Sequence, residues 1–348
     1  MPLTPERLER VMRLHRQAPV IDCHNDSVQA VLLGDQQYNP LPHRPAMPRR
    51  LWQKGKSGHW DFPRALEAGQ TGQLTNLLVP WKKGAPYTTA ILKAYRQLQL
   101  DLSMAPQMAL LATTAADIER AHAEGKIAVM LSIEGAEGID GELDLLHVYH
   151  QLGFRSMGLT WMYRNAVAEG NWEDTGAGMS SFGRQVVREM NQLHMLVDVA
   201  HATEQTFRDT LEVTSAPVIC SHTACRALVK DFHTHAPSRY LSDEQMKALA
   251  AQGGVLGIFF SANRELDDDT ADASALARFI DHAASTCGAE HVGLGSDHDG
   301  GFPPHGLEDI RGLPNLTSAL IDLGFSDAEL LGILGGNWLR VFRSVLGN

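Results

Sequence analysis

Eight short apolar runs, each closed by a polar or glycine-marked end, set the strongest limit on what this chain can fold into. They are "APVIDCHND" (18–26), "LTNLLVP" (74–80), "IAVMLSIEG" (127–135), "RSMGLTW" (155–161), "MLVDVAH" (195–201), "APVICSH" (216–222), "GVLGIFF" (254–260) and "HVGLGSD" (291–297). Between most of them lie amphipathic stretches such as "GRQVVREMNQLH" (183–194) and "SDEQMKALAAQ" (242–252). A strand that is apolar almost continuously is buried on both faces, as in a parallel sheet flanked by helices. Eight such units in 348 residues fit an α/β fold of the (β/α)8 TIM-barrel type, with an open doubly wound sheet as the alternative. Ser242 with Gln245 and Ser326 with Glu329 read as capping boxes. Thr4 before Pro5 reads as a helix start, with Leu8, Val11, Met12 and Leu14 as its apolar face. No Ser/Gly/Pro linker divides the chain, so residues 1–348 are expected to form a single domain. Tidy alternation fails at 33–72, a long segment after the first strand that is expected to act as a lid.

The strand ends carry the chemistry. The first strand closes with His24 and Asp26, the third with Glu134, the fifth with His201, the sixth with His222 and the eighth with Asp297, followed by Asp299. Strict alternation would point Asp22, His24 and Asp26 one way, and Cys23 and Asn25 the other. In a parallel barrel all C-terminal strand ends open on one face, so these residues are expected to converge. Imidazoles with carboxylates form a donor set suited to zinc. One catalytic zinc takes about three protein ligands. Five candidates (His24, Asp26, Glu134, His201, His222) exceed that, so two ions sharing Glu134 is the economical reading. His147, His150, His194 and His282 fall in helical stretches and read as surface or packing residues. His298 alternates away from Asp297 and Asp299, toward the helical layer. His43, His59, His233, His235 and His305 fall in loops near the expected mouth.

A formal charge of −11 argues against a nucleic-acid surface. No apolar run reaches the length of a membrane span, and the charged N-terminal stretch has no signal-like apolar core. The four cysteines are scattered with no CxxC pair, so free thiols and a cytoplasmic location are expected.

The stretches "IDCHND", "SIEGAEGI", "LVDVAH", "APVICSH", "RYLSDEQ" and "HVGLGSDHDG", with the closing "GGNWLRVF", resemble the membrane (renal-type) dipeptidase family of metallopeptidases over about residues 18–344. The resemblance implies a barrel holding two zinc ions (Zn2+) that hydrolyses dipeptides, and a role for Arg239 as clamp on the substrate's terminal carboxylate. Two positions depart from the family pattern. Trp161 stands where a histidine after the fourth strand is common, leaving Tyr163 and Asn165 nearby as the expected substrate contacts, and Tyr240 stands where Asn commonly follows the clamp arginine.

The expected mechanism assigns His24 and Asp26 to one ion, His201 and His222 to the other, and Glu134 to both. Asp297 takes the proton from the attacking water, leaving a metal-bridging hydroxide as nucleophile, and passes it to the departing nitrogen, and Asp299 is structural. Competing readings are a broader amidohydrolase acting on lactams, lactones or N-acyl amino acids, a phosphoesterase, or an inactive metal-binding homologue. A small dipeptide is the expected partner, with a homodimer left open.

Overall fold

The computed structural model describes residues 3–33, 50–55, 57–78, 86–230 and 237–347. Within them lie nine strands: β1 (Ile21–Asn25), β2 (Gly72–Leu78), β3 (Ala109–Ala112), β4 (Ile127–Glu134), β5 (Phe154–Gly158), β6 (Leu196–Asp198), β7 (Ile219–Thr223), β8 (Val255–Ile258) and β9 (Val292–Leu294). All pair in parallel in the order β2-β1-β9-β8-β7-β6-β5-β4-β3. The sheet closes on itself because β2 also pairs with β4, from Gly72 opposite Ala128 to Leu78 opposite Glu134. The result is a closed eight-stranded parallel barrel surrounded by helices, the TIM architecture expected from the sequence pattern. All eight apolar runs became barrel strands.

The ninth strand was not expected. β3, the four residues "ALLA", is too short to show any period. It lies along the N-terminal half of β4, from Ala109 opposite Ile127 to Ala112 opposite Met130. β5 takes over the same edge from Leu131 onward. The first half of β4 would otherwise present an open edge of unpaired backbone groups.

The double-sided burial of the strands has two partners. Ile21, Cys23, Leu74, Ala128, Met130, Leu196, Ile219 and Val255 pack together inside the barrel, and Trp338, from the helix Asn337–Leu346, joins them at its base. Leu77, Val129, Leu131, Ile133, Val197, Leu256, Ile258 and Leu294 belong to a second core, shared with the surrounding helices. Both expected capping boxes form, as does the Thr4 cap on the helix Pro5–Gln17.

One expectation about β1 is corrected. Asp22 pairs with Gln73 but Asn25 pairs with Thr75, so β1 carries one extra residue between them. That bulge breaks the strict alternation. Cys23 packs inside the barrel, whereas Asp22 accepts from Ser296 N at 2.8 Å and Ser296 Oγ at 2.5 Å. Asp22 and His24 therefore do different jobs.

Of the expected lid, residues 34–49 and 56 lie outside the described residues. The part that is described is anchored: Leu51, Trp60 and Phe62 are fully buried. Arg64, in the helix Phe62–Glu67, is salt-bridged to Asp61 at 2.7 Å and Asp309 at 3.2 Å. No helix among the described residues is long and apolar enough to cross a membrane. All four cysteines are free.

The barrel base yields a stability prediction. Trp338 Nε1 donates to Leu294 O at 3.0 Å, and the indole lies so close to β9 that a Cβ on Gly293 would fall 2.3 Å from Nε1. Gly293→Ala should therefore force the indole out of place and lower stability by about 1–3 kcal/mol. Urea unfolding of the variant beside wild type measures this, and an unchanged midpoint would show that the indole can yield.

Candidate metal centre

The barrel's C-terminal strand ends gather the six residues expected there. His24 lies in the bulged part of β1 and Asp26 just beyond its end, Glu134 ends β4, and His222 lies within β7. His201 and Asp297 each stand three residues beyond β6 and β9. Both have left-handed backbones, φ 62° for His201 and 59° for Asp297. His and Asp enter that region more readily than most residues. A left-handed residue at the strand exit turns its side chain back over the mouth instead of following the strand.

Glu134 is the hub. Its Oε1 lies 3.1 Å from Nε2 of His201, 3.4 Å from Nε2 of His222 and 3.9 Å from Nε2 of His24. Nε2 of His24 is also 3.6 Å from Asp297 Oδ1 and 3.8 Å from Asp26 Oδ1. The donors form two overlapping triads, His24–Glu134–His222 and His24–Asp26–Asp297, each with ligand atoms within 4.8 Å of one another. Gly300 makes the second triad compact, since a Cβ there would fall 2.1 Å from Asp26 Oδ2 and 2.4 Å from Asp297 Oδ1.

This donor set fits divalent cations. Nε2 of His24, Oδ1 of Asp26 and Oε2 of Glu134 are buried with no hydrogen-bond partner. Orphans of this kind are rare in folded proteins and call for an explanation such as an ion. Burial pushes the Asp26 and Glu134 carboxyls well above the usual carboxylate range, and the charges of neighbouring acids, Asp297 among them, push the same way. Burial also drives His24, His201 and His222 well below the ordinary imidazole value, with the Arg239 guanidinium adding to it. Three neutral imidazoles facing crowded acids are what a cation would satisfy.

Each imidazole is held from behind. Nδ1 of His24 lies 3.1 Å from the Asn76 side-chain amide, Nδ1 of His201 3.1 Å from Asn171 Oδ1, and Nδ1 of His222 2.9 Å from Ser221 Oγ. All three Nε2 atoms consequently face the centre. Sequence reasoning passed over these supports. Asn76 offered a faint signal, a carboxamide inside the apolar run 74–80; Asn171 and Ser221 offered none.

Residues 8–347 match the family described as membrane dipeptidase, peptidase family M19. The chain belongs to that family. It is 30% identical to Dipeptidase 3 of Mus musculus over 98% of this chain and 67% of the mouse protein. Its fold superposes on a solved family M19 metallopeptidase, dipeptidase AC, with TM-score 0.84 at 27% identity, covering 95% of this chain and 99% of the other. A metallopeptidase of Rhodobacter sphaeroides, solved with a phosphinate mimic of the dipeptide L-Ala-D-Ala, superposes with TM-score 0.82 at 26% identity, over 94% and 99% of the two chains. The chain is accordingly a hydrolase of the metallo-dipeptidase class.

The other expected site residues of this M19 dipeptidase lie as follows. Arg239 Nη1 donates to the carbonyl of the ligand-type His222 at 2.9 Å, and the guanidinium sits 5.0 Å from the ring centre of Phe259, at the exit of β8. Tyr163 packs edge-on against Trp172, ring centres 5.7 Å apart. Asn165 is occupied by its own loop: Nδ2 donates to Leu159 O at 2.9 Å while Oδ1 accepts from Val167 N and Ala168 N at 2.7 and 3.0 Å. Trp161 is buried.

Asp299 accepts from Ser27 Oγ at 2.5 Å and His59 N at 2.8 Å, and so braces the loop. His298 turns away from the centre into a pocket between the rings of Phe260 and His59. His305 meets Asp269 O at 2.9 Å. His43, His233 and His235 lie outside the described residues.

The raised carboxyls give a measurable sign. An acid whose folded pKa is raised keeps its proton to higher pH, and a binding cation must displace it. Zinc uptake by the metal-free protein at about pH 6 should therefore release protons, and should weaken as pH falls further. Titration calorimetry in buffers of different ionisation enthalpy reads the release. Heats independent of the buffer would mean that the carboxyls are already ionised.

Proposed function

We propose that this chain is a binuclear zinc dipeptidase, working as one catalytic domain, in which His24 and Asp26 hold one ion, His201 and His222 the other, and Glu134 both. The observation that carries the reading is the single oxygen of Glu134 within reach of all three inward-facing nitrogens, beside a second oxygen with no partner. The Rhodobacter sphaeroides relative, solved with a dipeptide mimic, supports a dipeptide as the substrate. A zinc ion held by these residues would lower the pKa of an attacking water and polarise the scissile carbonyl.

The chain's own groups do the rest. Asp297 stands 3.6 Å from His24 Nε2 at the open side of the cluster. It accepts the proton of the attacking water as the new C–O bond forms, then returns it to the amide nitrogen as the C–N bond breaks. Arg239 binds the terminal carboxylate of the substrate, its guanidinium seated on Phe259. Tyr163, packed on Trp172, contributes to substrate binding, and Asn165 shapes the loop that carries it.

Asp297 also lies within ligand distance of His24 and Asp26, so its role is the sharpest test. Asp297→Asn should retain two zinc ions per chain and lose turnover by a factor of about 10²–10⁴. Metal analysis after zinc loading decides this: loss of an ion from the variant makes Asp297 a ligand, and fewer than two ions in the wild type ends the binuclear reading.

Arg239 sets a second test. Losing a charged hydrogen-bond partner costs about 1.5–3 kcal/mol. Amidating the substrate's C-terminus, or Arg239→Met on the free acid, should lower kcat/KM by about 10- to 100-fold, with little further loss when both are combined. Equal cleavage of dipeptides, their amides and tripeptides would make the protein a broader amidohydrolase.

A further inference from the structure

His201 lies outside any strand, in a left-handed backbone, so no ladder holds its ring. What holds it comes from the segment after β5. Gly170 bridges Ala202 in antiparallel fashion, Asn171 N donates to His201 O at 2.9 Å, and His201 Nδ1 lies 3.1 Å from Asn171 Oδ1. Asn171 thus grips both the main chain and the ring of His201, and is itself buried.

The segment is stiff where it does this. The buried carboxylate of Glu169 accepts from Ala177 N at 2.9 Å and Gly178 N at 3.1 Å, which folds residues 169–178 into a closed turn. The backbone carbonyl of Glu169 accepts from Thr203 N at 3.3 Å and Thr206 Oγ1 at 3.1 Å, two and five residues beyond His201. Further along, Asp174 Oδ2 accepts from Ser238 Oγ at 2.7 Å, beside Arg239. The turn therefore ties the exit of β6 to the arginine turn.

We propose that Asn171 is a positioning residue for the metal centre: its side-chain oxygen accepts the Nδ1 proton of His201 and so leaves Nε2 bare and aimed at Glu134. A carboxamide oxygen is an acceptor only, and therefore selects one of the two neutral imidazole tautomers. The selected tautomer is the one that can donate an Nε2 lone pair to a cation. With Nε2 only 3.1 Å from Glu134 Oε1 and 3.0 Å from His222 Nε2, the other tautomer would place a proton where the ligands converge. Partners of this kind are worth about 10- to 100-fold in metal affinity.

The proposal rests on the zinc reading above, and its test separates the two. Zinc affinity of the metal-free protein is measured by competition with a chelating dye for the wild type, Asn171→Leu, Asn171→Asp and Asp174→Ala. Wild type that takes up no zinc defeats the zinc reading itself. With zinc bound by wild type, Asn171→Leu should weaken one site about 10- to 100-fold. Asn171→Asp, which still accepts the Nδ1 proton, should stay within a few-fold of wild type. Asp174→Ala loosens the same turn without touching His201 and should leave zinc affinity unchanged. Equal affinity in Asn171→Leu overturns the proposal, and so does an equal loss in Asp174→Ala, which would make the effect a general slackening of the turn. If the Leu variant does not fold, the ring nitrogen shifts of His201 in the metal-free wild type decide alone. The Nδ1-protonated neutral ring is expected, and an Nε2-protonated ring overturns the assignment.

Discussion

The crowding of buried acids around Glu134 is the constraint to which the rest of the barrel mouth answers. Removing a carboxylate from water is costly unless it is paired. Here the charge of Asp297 bears on both Asp26 and Glu134. Hydrogen bonding within the chain does not resolve the conflict, because His24 Nε2, Asp26 Oδ1 and Glu134 Oε2 are buried there without partners. Asn76, Asn171 and Ser221 hold the back of each imidazole, which leaves the three Nε2 atoms to face the centre. Such a centre is built for cations supplied from outside the chain.

Holding donors in that arrangement needs stiffness that the mouth cannot provide by itself. His201, Asp297 and Asp299 all adopt left-handed backbones just beyond the strands, and such conformations persist only where the surroundings over-determine them. The stiffness comes from below. Trp338 and the interior apolar residues of β1, β2, β4, β6, β7 and β8 fill the base as one packed body. Stability is thus concentrated at the N-terminal ends of the strands and chemistry at the opposite ends, the division of labour expected of this fold.

The loop after β5 shows how one connection can serve two parts of a site. Glu169 closes it, Asn171 reaches the imidazole of His201, and Asp174 reaches the turn that carries Arg239. Trp161 lies at the root of the same loop, buried. The buried polar side chains Glu169 and Asn171 stand farther along that loop.

How much of this was legible in the sequence follows from the range of the interactions involved. Strand identity is local. An uninterrupted apolar run is buried on both sides wherever it sits, and eight of them point to a parallel sheet; the pairing of β2 with β4 is what closes it against the open alternative. The candidate site was legible for the same reason, since every strand end of a parallel barrel shares one face; His24, Asp26, Glu134, His201, His222 and Asp297 needed no coordinates to be grouped. The β1 bulge was not legible. Its extra residue is set by the register with Gln73 and Thr75 on another strand, and that register decides that Asp22 serves Ser296 while His24 serves the mouth. β3 escaped because four residues carry no period and its only reason to exist is the edge left by β4. The spending of Asn165 on its own loop, and of Asn171 on His201, belongs to the same class. A carboxamide reads alike wherever it stands in a sequence, and only the tertiary structure decides whether it faces a backbone, a substrate or an imidazole, because that depends on where distant segments cross.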